Sequence, residues 1–161
     1  MVSEFSFHEN NGASPGTLGS IINLNMGSVD QKNLSPASNP VFAGGNSFEK
    51  WFAGSWAGTF TKIDNVKFWM SAGSYGTGES IVWNGSQTLY VTPTSDESTV
   101  AVSAVPSSEP VAANVSLGSS LSGELNVVGR SDWIVLQHQT TASANPGPTN
   151  IKQFTIQWDE Q

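Results

Sequence analysis

Apolar and polar residues alternate along much of the chain, the period expected of strands with one buried face. The cleanest run is Lys152–Trp158, where Phe154, Ile156 and Trp158 alternate with Gln153, Thr155 and Gln157. Val66, Phe68 and Met70 alternate with Lys67, Trp69 and Ser71 in the same way, and Phe5 and Phe7 with Ser6 and His8. Shorter runs predict strands over Ile21–Met26, Thr99–Val105 and Glu124–Val128. Trp133–Thr140 opens with Trp133, Ile134, Val135 and Leu136, apolar on both faces, which predicts a central strand. Turn chemistry separates these runs. Asn84-Gly85 predicts a hairpin between Ile81–Trp83 and Gln87–Val91, and Asp64-Asn65 another between Thr59–Ile63 and Val66–Ser71. Pro93–Glu97 and Pro146-Gly147-Pro148 predict further turns.

One stretch departs from period two. In Asn46–Ser71, Phe48, Trp51 and Phe52 fall at i, i+3 and i+4, on one helical face. Asn46 and Glu49 have the spacing of a capping box, and Gly54 the position of a left-handed C-cap. The spacing predicts a two-turn helix over Ser47–Ala53, plugging an apolar opening of the sheets. Before it, Gly27–Gly45 runs without a period and carries Pro36 and Pro40. That is longer than most loops of compact domains. It reads either as a meander pinned by Leu34, Val41 and Phe42, or as an arm reaching over a neighbour. The whole predicts about eight to ten short strands, an all-β fold. Its form is an antiparallel β-sandwich, jelly-roll or immunoglobulin-like, with one short helix. Residues 1–45 form an extended N-terminal segment and 46–161 the sandwich.

A chain of 161 residues suits one domain with its own core. It has no cysteine, which excludes disulfides and thiolate metal sites. Only 12% of residues are charged, about half the usual share, and Ser, Thr, Asn, Gln and Gly take their place. The net charge is −7, with six Lys and Arg in all and no basic stripe, which argues against nucleic acid as a partner. No apolar run approaches the roughly 20 residues that span a bilayer. The start, Met1-Val2-Ser3-Glu4-Phe5, has neither the charge nor the apolar run of a secretory signal.

Candidate chemistry is sparse. His8 and His138 both fall in predicted strands among uncharged neighbours. Glu79, Asp96, Glu97, Glu124 and Asp132 would be the carboxylates of a glycosidase pair, but most fall at turns, where solvated acids are ordinary. Turn oxygens near Ser95, Asp96 and Glu97, or Asp132 and Asn126, could hold calcium, yet no calcium-loop motif accompanies them. No nucleophile motif occurs. The reading is therefore non-enzymatic, with no catalytic residue, metal or cofactor. Aromatics remain. Trp51, Phe52, Phe68 and Trp158 are assigned to the core. Trp69, Tyr75 and Trp83 are candidates for an exposed face that stacks on sugars or seals a subunit interface.

The nearly uncharged hydroxyl-rich surface, the absent cysteines and leader, the stretch Gly27–Gly45 and the strand Phe154–Gln161 ending almost at the terminus together resemble small β-rich virion proteins of tailed bacteriophages, of the capsid decoration or cement type. The resemblance implies a structural protein of the virion, made in the host cytoplasm, that clamps neighbouring subunits. It implies a major capsid protein or another virion protein as partner, a homo-oligomer with a trimer favoured, and no membrane or nucleic-acid ligand. Phe5, Phe7, Val41 and Phe42 are the expected anchors on that partner. The alternative is a carbohydrate- or receptor-binding module.

Overall fold

The computed structural model describes residues 2–145 and 150–161, so the turn expected at Pro146-Gly147-Pro148 lies outside the described residues. The strands are β1 (Ser3–Asn11), β2 (Thr17–Ile21), β3 (Lys50–Gly58), β4 (Ile63–Ala72), β5 (Glu79–Gln87), β6 (Ser103–Ala104), β7 (Gly129–Arg130), β8 (Trp133–Thr140) and β9 (Gln153–Glu160). All pairings are antiparallel. The main sheet runs β2-β1-β3-β8-β5-β6, with β7 also paired to β3, and β4 and β9 form a second sheet. The all-β antiparallel expectation holds.

Successive side chains of a strand point to opposite faces, and here both faces of the main sheet are covered. On one face Phe52 and Trp56 of β3, Ile81 and Trp83 of β5, and Ile134 and Leu136 of β8 meet Ile63, Val66, Phe68 and Met70 of β4. Phe154, Ile156 and Trp158 of β9 pack against the same core, as do Phe5 and Phe7 of β1. Phe154 stacks on Phe68 with ring centroids 5.4 Å apart. On the other face Trp51, Ala53, Trp133 and Val135 are covered by Tyr90, Val100 and Ala101. The central-strand reading of Trp133–Thr140 matches β8 in both bounds and burial.

The helix expected over Ser47–Ala53 is not there. Lys50–Ala53 belong to β3, and no helix occurs among the described residues. The i, i+3, i+4 spacing that fits one helical face also sets Trp51 and Phe52 on opposite faces of a strand. Burying each of these side chains is worth roughly 1.5–3 kcal/mol. An isolated two-turn helix is marginal in water, so tertiary burial decides. Glu49 caps nothing; it accepts from Trp51 Nε1 at 2.9 Å and from the Ser98 hydroxyl. Gly54 leaves room for rings: a Cβ there would stand 3.0 Å from atoms of both Phe5 and Trp56.

Both expected hairpins are single strands with irregularities. Asn65 does adopt positive φ, 50°, but it marks a register shift between Asp64 and Lys67 inside β4, whose partner is β9. Asn84-Gly85 lies within β5, where the pairing with β8 shifts between Asn84 and Gln87. Gly85 is there because a Cβ would collide with Asn114 O. The strands expected at Ile21–Met26, Thr99–Val105 and Glu124–Val128 shrink to Ile21, Ser103–Ala104 and none.

Residues 22–45 lie across this chain's own sheet. Lys50 Nζ, in the main sheet, reaches Gln31 O at 3.4 Å. Leu34 is buried, and Asp30 accepts from Asn11 Nδ2 at 2.7 Å and Gly12 N at 2.6 Å. Thr140 Oγ1 donates to Phe42 O at 2.9 Å, and Gly44 N to Thr141 O at 3.0 Å.

The buried pair Lys50–Glu9, at 2.8 Å, ties β3 to β1. Removing one member of such a pair leaves an uncompensated charge. Lys50→Met is expected to lower the unfolding free energy by about 3–5 kcal/mol, and Glu9→Leu added to it to recover most of that loss. Urea denaturation of the three proteins checks both.

Candidate functional site

The register of β5 against β8 pairs Glu79 with Thr140 and Ile81 with His138. Cross-strand partners share a face, so these four side chains line the same side of the main sheet, beyond Leu136. There the second sheet ends: Ile81 is still packed in the core with β4, while Glu79, His138 and Thr140 are outside that core. Instead they floor a cavity of about 910 Å³, roofed by Pro36–Ala43 and walled by Leu24, Met26, Ile151, Lys152 and Phe154. A smaller recess of about 320 Å³, lined by Phe7, Ile21 and Ile22, adjoins it and shares Leu24, Asn25, Lys152 and Phe154. A large cavity with apolar walls and a few converging polar groups is where a binding site is first sought.

The polar groups form one cluster. Lys152 Nζ stands 3.2 Å from Glu79 Oε2 and donates to Asn150 O at 3.0 Å. It also sits 5.7 Å from the centre of the Tyr75 ring, within cation–π range. Gly76 N donates to the same Glu79 oxygen at 2.8 Å. Burial acts to raise the Glu79 pKa, but the Gly76 N–H and Lys152 outweigh it and hold the carboxyl below its ordinary value. His138 goes the other way. Burial pushes its imidazole down, Glu79 opposes and Lys152 reinforces, so the ring is neutral at pH 7. Its buried Nε2 has no hydrogen-bond partner among the described residues.

This arrangement brings polar groups to an apolar cavity, and two of them are engaged within the chain. Glu79 is committed to Gly76 and Lys152, and the Thr140 hydroxyl is turned to Phe42 O and Gly45 O. No group of three or more acids or histidines placed to hold a metal occurs among the described residues.

The residues singled out from sequence fall in different places. Val41 and Phe42 line the cavity roof, and Phe42 is 75% exposed. Phe5 and Phe7 are packed into this chain's own core, Phe5 stacked on Trp158 at 4.7 Å. Trp69 and Trp83 are 9% and 8% exposed, so they make no open row with Tyr75, which is 38% exposed. Of the carboxylates weighed as a catalytic pair, Glu79 alone reaches the cavity. Asp132 is held by Ser116 and Ser119 N instead. His8 is half-buried in β1 opposite Ser20 and Ala53. Lys152 was not anticipated: it looks like the polar start of a strand, and only the fold brings it to Glu79. No family model, no curated protein and no solved structure matched this chain on comparison.

The depressed His138 pKa carries a sign. The unfolded chain takes up the imidazole proton first, so stability falls as pH drops below about 6.5, the ordinary value, and levels off below the folded-state pKa. The Glu79 contribution is lost only lower, below its ordinary 4.5. Urea midpoints between pH 7 and pH 5 are expected to fall more steeply in the native protein than in His138→Gln; equal slopes would refute the assignment.

Proposed function

We propose that the protein is a non-enzymatic structural component of a virion, a decoration or cement protein that binds and stabilises neighbouring capsid subunits. The observation that carries this reading is the set of large apolar side chains left in water around the two cavities. Ile22 is 91% exposed, Ile151 87% and Phe42 75%, and all three border one or other recess. Other large apolar residues, Val111 and Leu89 among them, are exposed elsewhere, but these three border adjoining recesses, and apolar side chains so grouped favour contact with another macromolecule. The sparse charge elsewhere suits a surface crowded by copies of itself. A sandwich of jelly-roll or immunoglobulin-like kind supplies a rigid body for the clamp, with the major capsid protein or another virion protein as partner. The homo-oligomer is a trimer in this reading.

A glycan- or receptor-binding role is second. It draws on Tyr75 near Lys152 and on Asn25, Asn39, Asn145 and Asn150 at the cavity. Three of those amides already donate within the chain, to Leu34 O, Ser35 O and Ser74 Oγ, which supports protein contact over a glycan.

Produced together with candidate major capsid proteins, the protein is expected to co-sediment with the capsids they form. Phe42→Ser is expected to lower the bound fraction by about tenfold, as the loss of a buried aromatic anchor does. Native protein left in the supernatant would refute the clamp. Glycan binding abolished by Tyr75→Ala would favour the second reading.

A further inference from the structure

We infer that the free edge of β9, with the recess beside it, is a binding site for one extended peptide segment, which joins the β4–β9 sheet as a third strand. The inference deepens the reading of the protein as one that binds its neighbours.

The two edges of the small sheet are treated differently. The outer edge of β4 is closed. Asn114 takes both backbone groups of Phe68 with its side chain, accepting from Phe68 N at 2.8 Å and donating to Phe68 O at 2.9 Å. Val66 O accepts from Asn114 N and Val115 N, and Met70 N donates to Pro106 O at 2.8 Å. Beyond β9, in contrast, no strand follows among the described residues. Protein edges are normally guarded by proline, bulges, covering loops or charges pointing across them. Gln153–Glu160 has no proline or glycine, and its acids come only at the end, at Asp159 and Glu160.

There is also room for a strand. β9 lies over β1, with Phe5 stacked on Trp158 at 4.7 Å. β2 is the next strand outward in the main sheet. Thus the wide sheet continues under the place where a neighbour of β9 would run. The recess of about 320 Å³ between Phe154, Phe7 and Ile21 lies there, with the exposed Ile22 at its mouth. A strand hydrogen-bonded to β9 would direct every second side chain into that recess and the others to water. The recess is walled by Phe7, Ile21, Ile22, Leu24 and Phe154, with Asn23, Asn25 and the Glu79-paired Lys152 also lining it, and the chain carries a net charge of −7 with Asp159 and Glu160 at one end of the edge. The fitting ligand is therefore an extended segment that alternates aliphatic residues with polar or basic ones.

The test uses the full chain and two nine-residue peptides, one alternating valine and lysine and one with the same residues in blocks. Hydrogen exchange is read at each amide. The alternating peptide is expected to slow, by about tenfold or more, those β9 amides that exchange fast in the free protein. The blocked peptide is expected to leave them unchanged. Ile22→Lys is expected to weaken binding by about tenfold, and unchanged exchange in β3 shows that this variant is folded. Equal effects of the two peptides, or no slowing in β9 at saturation, would overturn the site. Capsid binding that leaves β9 exchanging freely sinks the strand site and not the clamp. Protection by the peptide without any capsid binding supports the site and sinks the clamp.

Discussion

A strand with protein on both sides has no solvent face on which to leave a polar group. β3 and β8 are in that position, and the rest of the molecule is arranged to satisfy them. Trp51 and Ala53 face one core while Phe52 and Trp56 face the other. Most polar residues caught among them find internal partners, as burial requires, while Trp56 Nε1 and His138 Nε2 find none among the described residues. Gln137 donates to Ser47 O and Asp96 O and accepts from Ser98 N. Glu49 holds Trp51 and Ser98, and Lys50 holds Glu9 and Gln31. These bonds reach out to the segments 22–45 and 88–102. The long irregular stretches are thereby fixed, and they cover the sheet where no second sheet does.

The candidate site follows from the same constraint. The small sheet has two strands and the main sheet seven, so the second layer cannot cover the whole first layer. Where it ends, the face of β5 and β8 carries Glu79, His138 and Thr140, whereas farther along the same face it carries Ile81, Trp83, Ile134 and Leu136. A roof of irregular chain from Pro36 to Ala43 spans the gap without filling it. The cavity, its apolar rim and the open edge of β9 all come from the same mismatch in sheet width. Each is a surface on which another chain could complete the sandwich.

How far this was legible depends on the range of the signal. Period-two alternation marks one-sided strands locally, and Lys152–Trp158 and Val66–Ser71 correspond to β9 and β4. Continuous apolar character marked β8 as central for the same local reason. β3 carries the same two-sided character, but Lys50 and Gly54 interrupt it, and a helical spacing fitted the remainder. Asn84-Gly85 read as a hairpin because its chemistry suits one. What decides Gly85 is the carbonyl of Asn114, distant in sequence. The cluster of Glu79, His138 and Lys152 depends on the β5–β8 register and on the path of the chain into β9. No local pattern encodes either, and the aromatic residues could not be sorted into core and surface without them.

Lys50–Trp56 is a strand enclosed on both faces, around which the sheet is built. Backbone NMR with hydrogen exchange tests it directly. Extended-strand carbon shifts from Lys50 to Trp56, with amides there and in β8 among the slowest to exchange, are the predicted result. Helical shifts over Ser47–Ala53, or amides in β3 that exchange as fast as those of the 22–45 segment, would contradict the account.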